Sequence, residues 1–325
     1  MEKVTIVIPN FNGERYLKDC LEHLRPSYQR GNVSYRVLVV DNGSEDGSRQ
    51  ILEQEFPWVQ RIYLKTNTGF CKAVNVGIRE TKSPFVILLN NDTKAEPGFV
   101  ESLYRAIEPH QRCFSVSGAM LMWDRPELLD DAGDFYCAFG WSRAIGHGEP
   151  AADHTRPARV FSACAGAAIY RMSALEQIGL FDEAHFAYLE DLDIGYRARL
   201  YGYYNAYEPA ARVLHFGSAS TGSRYNLRKT ELSSRNNAYV VLKNMPLLQL
   251  FINLPFLLAG FAIKTVFFAR KGMGKEYVLG YLKGIKMGCS ARGREHHVPF
   301  ELKRLPYYLA VQGLLWKNLV LLRRN

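Results

Sequence analysis

Four times before residue 110, a short run of β-branched and aliphatic residues gives way to a stretch with helical spacing. The pairs are VTIVIP with YLKDCLEHL, RVLVVD with SRQILEQEF, RIYLK with CKAVNVGIRE, and FVILLN with GFVESLYRAI. Strands that alternate with helices form a mostly parallel sheet buried on both faces, which fixes the class as α/β. In such sheets ligands sit beyond the carboxyl ends of the strands.

The polar motifs of this half fall at those ends. Pro9-Asn10-Phe11-Asn12-Gly13 closes the first run and Asp41-Asn42-Gly43-Ser44 the second, so Pro9 and Asp41 are expected to line one pocket. A carboxylate there can accept the imide N–H of uracil or thymine, and the same four residues are also strong turn formers by themselves. Asn67-Thr68-Gly69 opens the third helical stretch, where glycine admits close backbone approach and the helix start favours an anion. Asn90-Asn91-Asp92 follows the fourth run directly, and its carboxylate and amide oxygens suit Mg²⁺ or Mn²⁺ shared with phosphates.

Beyond Cys113 the rhythm loosens. Residues 113–163 read as a long surface excursion near the site. A helix is expected over EDLDIGYRARLYGYY, with Leu192, Tyr196 and Leu200 on one face. After His215 the α/β pattern stops.

Charge is divided just as sharply. Of the net +9, residues 1–211 hold 22 basic against 28 acidic side chains, whereas residues 212–325 hold 19 against 4. A basic segment meets either nucleic acid or an anionic membrane. Here the run PLLQLFINLPFLLAGFAIKTVFFA, at 246–269, interleaves the charge with apolar and aromatic residues and favours a membrane surface over nucleic acid. Pro246, Pro255, Gln249, Asn253 and Lys264 interrupt the run, which suits helices lying in the membrane plane better than a span. The six cysteines are scattered without a Cys-x-x-Cys pair, and the N-terminal apolar run is too short for a secretory signal. Both point to a reducing, cytoplasmic setting, and the basic, apolar C-terminal region to peripheral attachment to the inner face of the cell membrane.

Seven segments, in order, carry a family resemblance: VTIVIPNFNGERYLKDCLEHL, VLVVDNGSEDGS, NTGFCKAVNVGI, FVILLNNDT, GAAIYRMSALEQIGLFDE, FAYLEDLDIGYRARLYGY and VLHFGSAST. Together they resemble the family 2 glycosyltransferases of GT-A fold, over about residues 3–240, and within them the bacterial rhamnosyltransferase type that uses dTDP- or UDP-sugars. The resemblance implies a GT-A, Rossmann-like domain over 1–240 and a basic, apolar helical region over 241–325. It further implies transfer of a sugar, such as rhamnose, to a glycan or lipid-linked acceptor in cell-surface polysaccharide synthesis.

By the same resemblance, Pro9, Asn10 and Asp41 look like nucleoside contacts, Asn67 and Gly69 like nucleotide-loop residues, and Asn90-Asn91-Asp92 like the family's Asp-x-Asp metal motif. Position 90 departs from that motif by being Asn, which leaves Asp92 as its certain carboxylate and gives weight to His215, similar to the family's late metal-binding histidine. Glu190-Asp191 resembles the catalytic Glu-Asp pair. An acceptor hydroxyl must lose its proton as it attacks the anomeric carbon, and Asp191 is the expected base, with Glu190 orienting it or the acceptor. Asp193 reads as an acid that merely complements the helix dipole. Arg224 and Arg235 lie in a basic stretch that relatives share and are candidates to clamp the diphosphate. Inversion is expected, because no separate carboxylate nucleophile is offered. Two rival classes remain: a sugar-nucleotide pyrophosphorylase, which should open with a Gly-rich basic loop absent here, and a catalytically silent glycan-binding scaffold, which Asn90 would suit.

Overall fold

The computed structural model describes residues 2–217, 226–291, 293 and 297–322. Its first half follows the alternation: β1 (Val4–Asn10), α1 (Glu14–Glu22), β2 (Tyr35–Asp41), α2 (Ser48–Gln54), β3 (Gln60–Tyr63), α3 (Phe70–Arg79) and β4 (Phe85–Leu89). Strands β3, β2, β1 and β4 lie side by side and parallel. The pleat sends Val4, Ile6 and Ile8 to one face, against α1, α2 and α4 (Phe99–Ile107), and Val7, Leu38 and Val40 to the other, against α3. Each such side chain contributes roughly 1.5–3 kcal/mol on burial, which is why these strands read as unbroken apolar runs.

The middle of the chain departs from expectation. Residues 113–122 are no surface excursion but β6 (Cys113–Met122), a ten-residue strand almost wholly buried in the sheet. Ser115, Ser117 and Gly118 hide its strand character; the Ser115 hydroxyl is satisfied internally by Asn205 Oδ1 at 2.8 Å. The strands β5 (Thr93–Ala95), β7 (Leu129–Asp131), β8 (Asp134–Tyr136), β9 (Ser142–Ala144) and β10 (Ala158–Val160) are short. Strand β11 (Ala167–Arg171) inserts antiparallel between β4 and β6, and α5 (Met172–Ile178) follows it. After α6 (Glu190–Leu200), β12 (Tyr204–His215) lies parallel to β6 and antiparallel to β5. Because β11 is antiparallel to both its neighbours, β6 and β12 run in the direction of β1 and β4 and reach the same carboxyl edge from the far half of the sheet.

The boundary expected after residue 240 falls inside α7 (Leu227–Asn244), which runs unbroken to Met245-Pro246. The helices that follow are α8 (Leu247–Arg270), α9 (Gly274–Cys289) and α10 (Leu305–Leu321). They share a core with the α/β half: Leu192, Tyr196 and Leu200 of α6 pack with Val240, Leu257, Tyr308 and Leu315. Along α9, Gly280, Gly284 and Gly288 face α7 so closely that a Cβ on Gly284 would sit 2.0 Å from the Arg235 carbonyl oxygen. The two backbones pack almost without intervening side chains, as small residues at four-residue spacing allow.

A buried ionic network fastens α7 to α6. Asp193 accepts from Arg197 at 3.0 Å, Lys243 at 2.9 Å and Asn244 at 2.8 Å, while Lys243 also reaches Asp182 at 2.7 Å. Asp193 is therefore structural, held by partners and not by the helix dipole. Although burial opposes its charge, Lys243 and Arg197 hold its carboxyl far below the usual carboxylate range, and Asp182 is held at about 2 against the same opposition by Lys243. Stability from depressed carboxyls is present above the unfolded pKa of about 4 and lost as pH falls below it. Lys243→Met, which strands two buried carboxylates, should cost about 3–5 kcal/mol in urea denaturation at neutral pH. Its loss of stability between pH 5 and pH 3 should be shallower than that of the parent.

Candidate active site

A cleft of about 720 Å³ opens at the carboxyl edge of the sheet. One wall comes from Pro9, Asn10, Asn42, Asn67 and Gly69, at the ends of β1 and β2 and the start of α3. Asn42 organises it: its amide nitrogen donates to Asn67 Oδ1 and the Gly69 carbonyl, both at 3.1 Å, and its oxygen accepts the Thr68 N–H and hydroxyl, both at 2.9 Å. Gly69 has φ +88°, and a Cβ there would lie 2.6 Å from the Phe186 ring. Asn10 Oδ1 accepts from Asn91 Nδ2 at 2.7 Å, linking this wall to the end of β4.

The floor is set by strand register. His215, the last residue of β12, pairs with Thr93 of β5, and Phe216 N–H donates to the Asp92 carbonyl at 3.0 Å. Asp92 and His215 are thereby brought together, with His215 Nε2 3.4 Å from Asp92 Oδ1. The other ring nitrogen, Nδ1, lies 2.6 Å from Asp130 Oδ2. Burial opposes a charge on His215, but the bonds to Asp130 and Asp92 hold its pKa up to about 10. A carboxylate that accepts the N–H of one imidazole nitrogen orients the ring, so that the other nitrogen can take up a cation in exchange for its proton. Asp92 Oδ1 and His215 Nε2 are chemically suited to a divalent cation whose remaining ligands are phosphate oxygens. Among the described residues no group of three His, Cys, Asp or Glu side chains is placed to hold a metal ion.

The opposite wall carries the acids. Glu190 and Asp191 start α6 and both line the cleft, with Ala165 and Gly166 beside them. Asp191 is raised above the ordinary carboxyl range by burial, offset by the N–H groups of Leu192 and Ala165. Glu190, 8% exposed, is pushed up to about 8 by burial and by the charge of Asp191. Its Oε2 has no hydrogen-bond partner among the described residues. Paired carboxyls raised by burial in a cleft are candidates for proton transfer. Asp131 and Asp134, both raised chiefly by burial and further by the charge of Asp191, do not line the cleft.

Pro9, Asn10, Asn67, Gly69, Asn90, Asn91, Asp92, Glu190, Asp191 and His215 thus converge on one cavity. Asp41 does not line it. The Asp41 carboxylate is fully buried behind Asn10, accepting from Arg49 Nε at 2.8 Å and Asn10 Nδ2 at 3.1 Å, so it braces the wall. Arg235 is also outside, its guanidinium spent on the carbonyls of Ala184 and His185. Arg224 lies outside the described residues. The cations that line the cleft are Arg228 and Lys229, at the start of α7. Neither they nor Asp130 and Asn42 were singled out from the sequence. Asp130 had a signal in the acid-rich DDAGD segment; the α7 cations were masked by the general basic excess after residue 211.

The fold is that of the GT-A glycosyltransferases. Among solved structures, GalNAc-T7 with UDP, GalNAc and Mn²⁺ aligns at TM-score 0.56 and 14% identity, over 75% of this chain and 48% of that one. S. aureus TarS aligns at 0.52 and 16%, over 95% of this chain and 47% of that one. This chain spans about half the length of each. The chain belongs to glycosyl transferase family 2, whose model matches residues 5–179. It is similar to the N-acetylglucosaminyl-diphospho-decaprenol L-rhamnosyltransferase of Mycobacterium tuberculosis, 30% identical over 57% of this chain and 68% of that protein. It is also similar to the undecaprenyl-phosphate 4-deoxy-4-formamido-L-arabinose transferase of Pseudomonas fluorescens, 30% identical over 36% of this chain and 35% of that one.

If Asp130 orients His215 for a cation, Asp130→Asn should weaken Mn²⁺ binding by roughly 10–100-fold, read by electron paramagnetic resonance with UDP present. Unchanged Mn²⁺ affinity would remove Asp130 from the site.

Proposed function

We propose that the protein is an inverting, metal-dependent glycosyltransferase that moves a sugar, rhamnose being the first candidate, from a UDP- or dTDP-sugar to a lipid-linked glycan of the cell surface. The observation that carries this reading is the convergence of Asp92, His215 and Asp191 on a single cleft beside the nucleotide-loop wall. The similarity to two transferases named for polyprenyl-linked substrates supports the acceptor class.

In this reading the nucleoside lies along Pro9, Asn10 and Asn67, and the diphosphate reaches toward Asp92, with Arg228 and Lys229 at its side. Asp92 and His215 would hold a divalent cation, Mg²⁺ or Mn²⁺, which when bound would supply Lewis-acid neutralisation of the departing diphosphate. Asp191 accepts the acceptor hydroxyl's proton as that oxygen attacks the anomeric carbon, while the bond to the nucleotide diphosphate breaks on the opposite side. Glu190, raised toward neutrality, orients the acceptor. A single displacement of this kind inverts the anomeric centre. A screen of UDP-, dTDP- and GDP-sugars with Mg²⁺ or Mn²⁺ identifies the donor. With that donor, Asp191→Asn should lower turnover by about 10²–10⁴-fold while nucleotide binding is retained. Normal turnover in Asp191→Asn would sink the base assignment.

Attachment to the inner face of the membrane fits the disposition of α8, whose length and apolarity alone would allow a span. One stripe of α8 is pinned to the rest of the molecule. Gln249 Oε1 accepts from the Tyr196 hydroxyl at 3.2 Å, Asn253 and Gln312 exchange amide bonds at 2.7 and 2.9 Å, and the Gly260 carbonyl accepts from Trp141 at 3.2 Å. The other face leaves Leu247, Phe251 and Leu248 at 85%, 74% and 72% exposure. A helix surrounded by lipid would forfeit contacts that extend over about 16 Å of its length. Lying in the plane keeps them and gives the apolar face to the bilayer, with the basic excess meeting anionic headgroups. Full-length protein should float with vesicles containing anionic lipid, and Phe251→Glu with Leu248→Glu should abolish flotation. Full-length protein that stays in the soluble fraction would count against attachment.

A further inference from the structure

Between the donor wall and the acid pair runs the segment His185–Leu189, and its backbone is strained. Phe186, Tyr188 and Leu189 have φ of 64°, 71° and 65°, a region that side chains other than glycine rarely adopt. Such conformations cost about 1–3 kcal/mol each and persist only where surrounding contacts over-determine them. The segment touches both functional walls. The Phe186 carbonyl accepts the Cys71 N–H at 3.3 Å and its ring abuts Gly69, while Leu189 is the residue immediately before Glu190 and Asp191.

What over-determines it comes from α7. The fully buried Asn236 directs its amide nitrogen at the carbonyls of His185 at 3.0 Å, Ala187 at 2.8 Å and Tyr188 at 2.8 Å. Arg235 adds bonds to the carbonyls of Ala184 at 2.9 Å and His185 at 2.8 Å, and its Nε donates to Asn236 Oδ1 at 2.9 Å, which orients the amide. Five carbonyl contacts therefore converge from two adjacent residues onto this strained turn and the short 3-10 helix, Glu183–His185, that leads into it.

We propose that Asn236, oriented by Arg235, is a positioning residue for catalysis: it clamps the 185–189 turn and thereby sets the Glu190-Asp191 pair against the donor loop at Gly69. The proposal rests on the reading of Asp191 as the base. It assigns Arg235 a role different from contact with the diphosphate, since the guanidinium is already committed to the turn. A misplacement of about 1 Å at a reacting group is enough to cost about 100-fold in rate.

The test uses the full-length protein, the donor found active in the sugar-nucleotide screen, and UDP and dTDP as binding probes. Parent and Asp191→Asn are measured first, so that failure of the base reading is seen separately. Asn236→Ala should lower kcat about 100-fold, leave the dissociation constant of the bound nucleotide within threefold, and move the acid limb of the kcat/KM pH profile. Hydrogen exchange should quicken across 184–192 and stay unchanged in β1 and β4. Should Asn236→Ala not fold, the half-buried Arg235→Ala is expected to show the same pattern at about tenfold, with nucleotide affinity again unchanged. A folded Asn236→Ala, or failing that Arg235→Ala, with kcat within threefold of the parent and unaltered exchange over 184–192 overturns the proposal. A variant that loses nucleotide binding and kcat together does so as well, because that places Arg235 and Asn236 in donor binding.

Discussion

The register in which β12 ends against β5 is the constraint on which the cleft depends. One residue of slip would turn His215 to the opposite face of the sheet. Its imidazole would then leave Asp92, and Asp130 would lose the ring it orients. The antiparallel insertion of β11 makes that register possible, because it lets β6 and β12 run in the same direction as β1 and β4 and finish at the same edge. Two chemistries, one from the fourth strand and one from the last, so meet over a short distance although their residues are more than a hundred positions apart.

Helix α7 joins the parts of the molecule that chemistry and location would otherwise keep separate. Its first turn lines the cleft through Arg228 and Lys229, its middle carries Arg235 and Asn236, and its last turns send Lys243 and Asn244 into the ionic network with Asp193. Along the same length it packs against the glycine seam of α9. The acid pair on α6 is consequently braced from the side on which the apolar helices lie, and those helices are part of the architecture of the site.

Much of this was legible in the chain itself. The α/β alternation, the strand-end turns and the α6 face at Leu192, Tyr196 and Leu200 are local patterns, and local patterns survive into structure. The residues that converge on the cleft were found because strand ends converge by topology. What escaped depended on partners remote in sequence. Asp41 looked like a pocket residue until Arg49 and Asn10 enclosed it, and Asp193 looked like a dipole complement until Lys243 arrived from fifty residues away. Ser115 and Ser117 disguised β6, since nothing in the sequence says that Asn205 will meet one of them.

The stripe of α8 that faces the protein is rich in amides, and the face turned outward is hydrocarbon. That is the reverse of the distribution found in helices of water-soluble domains. Kept in plain buffer, the outward face has no solvent that suits it, and a second copy of the same chain offers the nearest substitute. On the proposed membrane attachment, dimers or larger assemblies recovered without lipid or detergent would be products of the medium, and their stoichiometry would carry no information about how the molecule works.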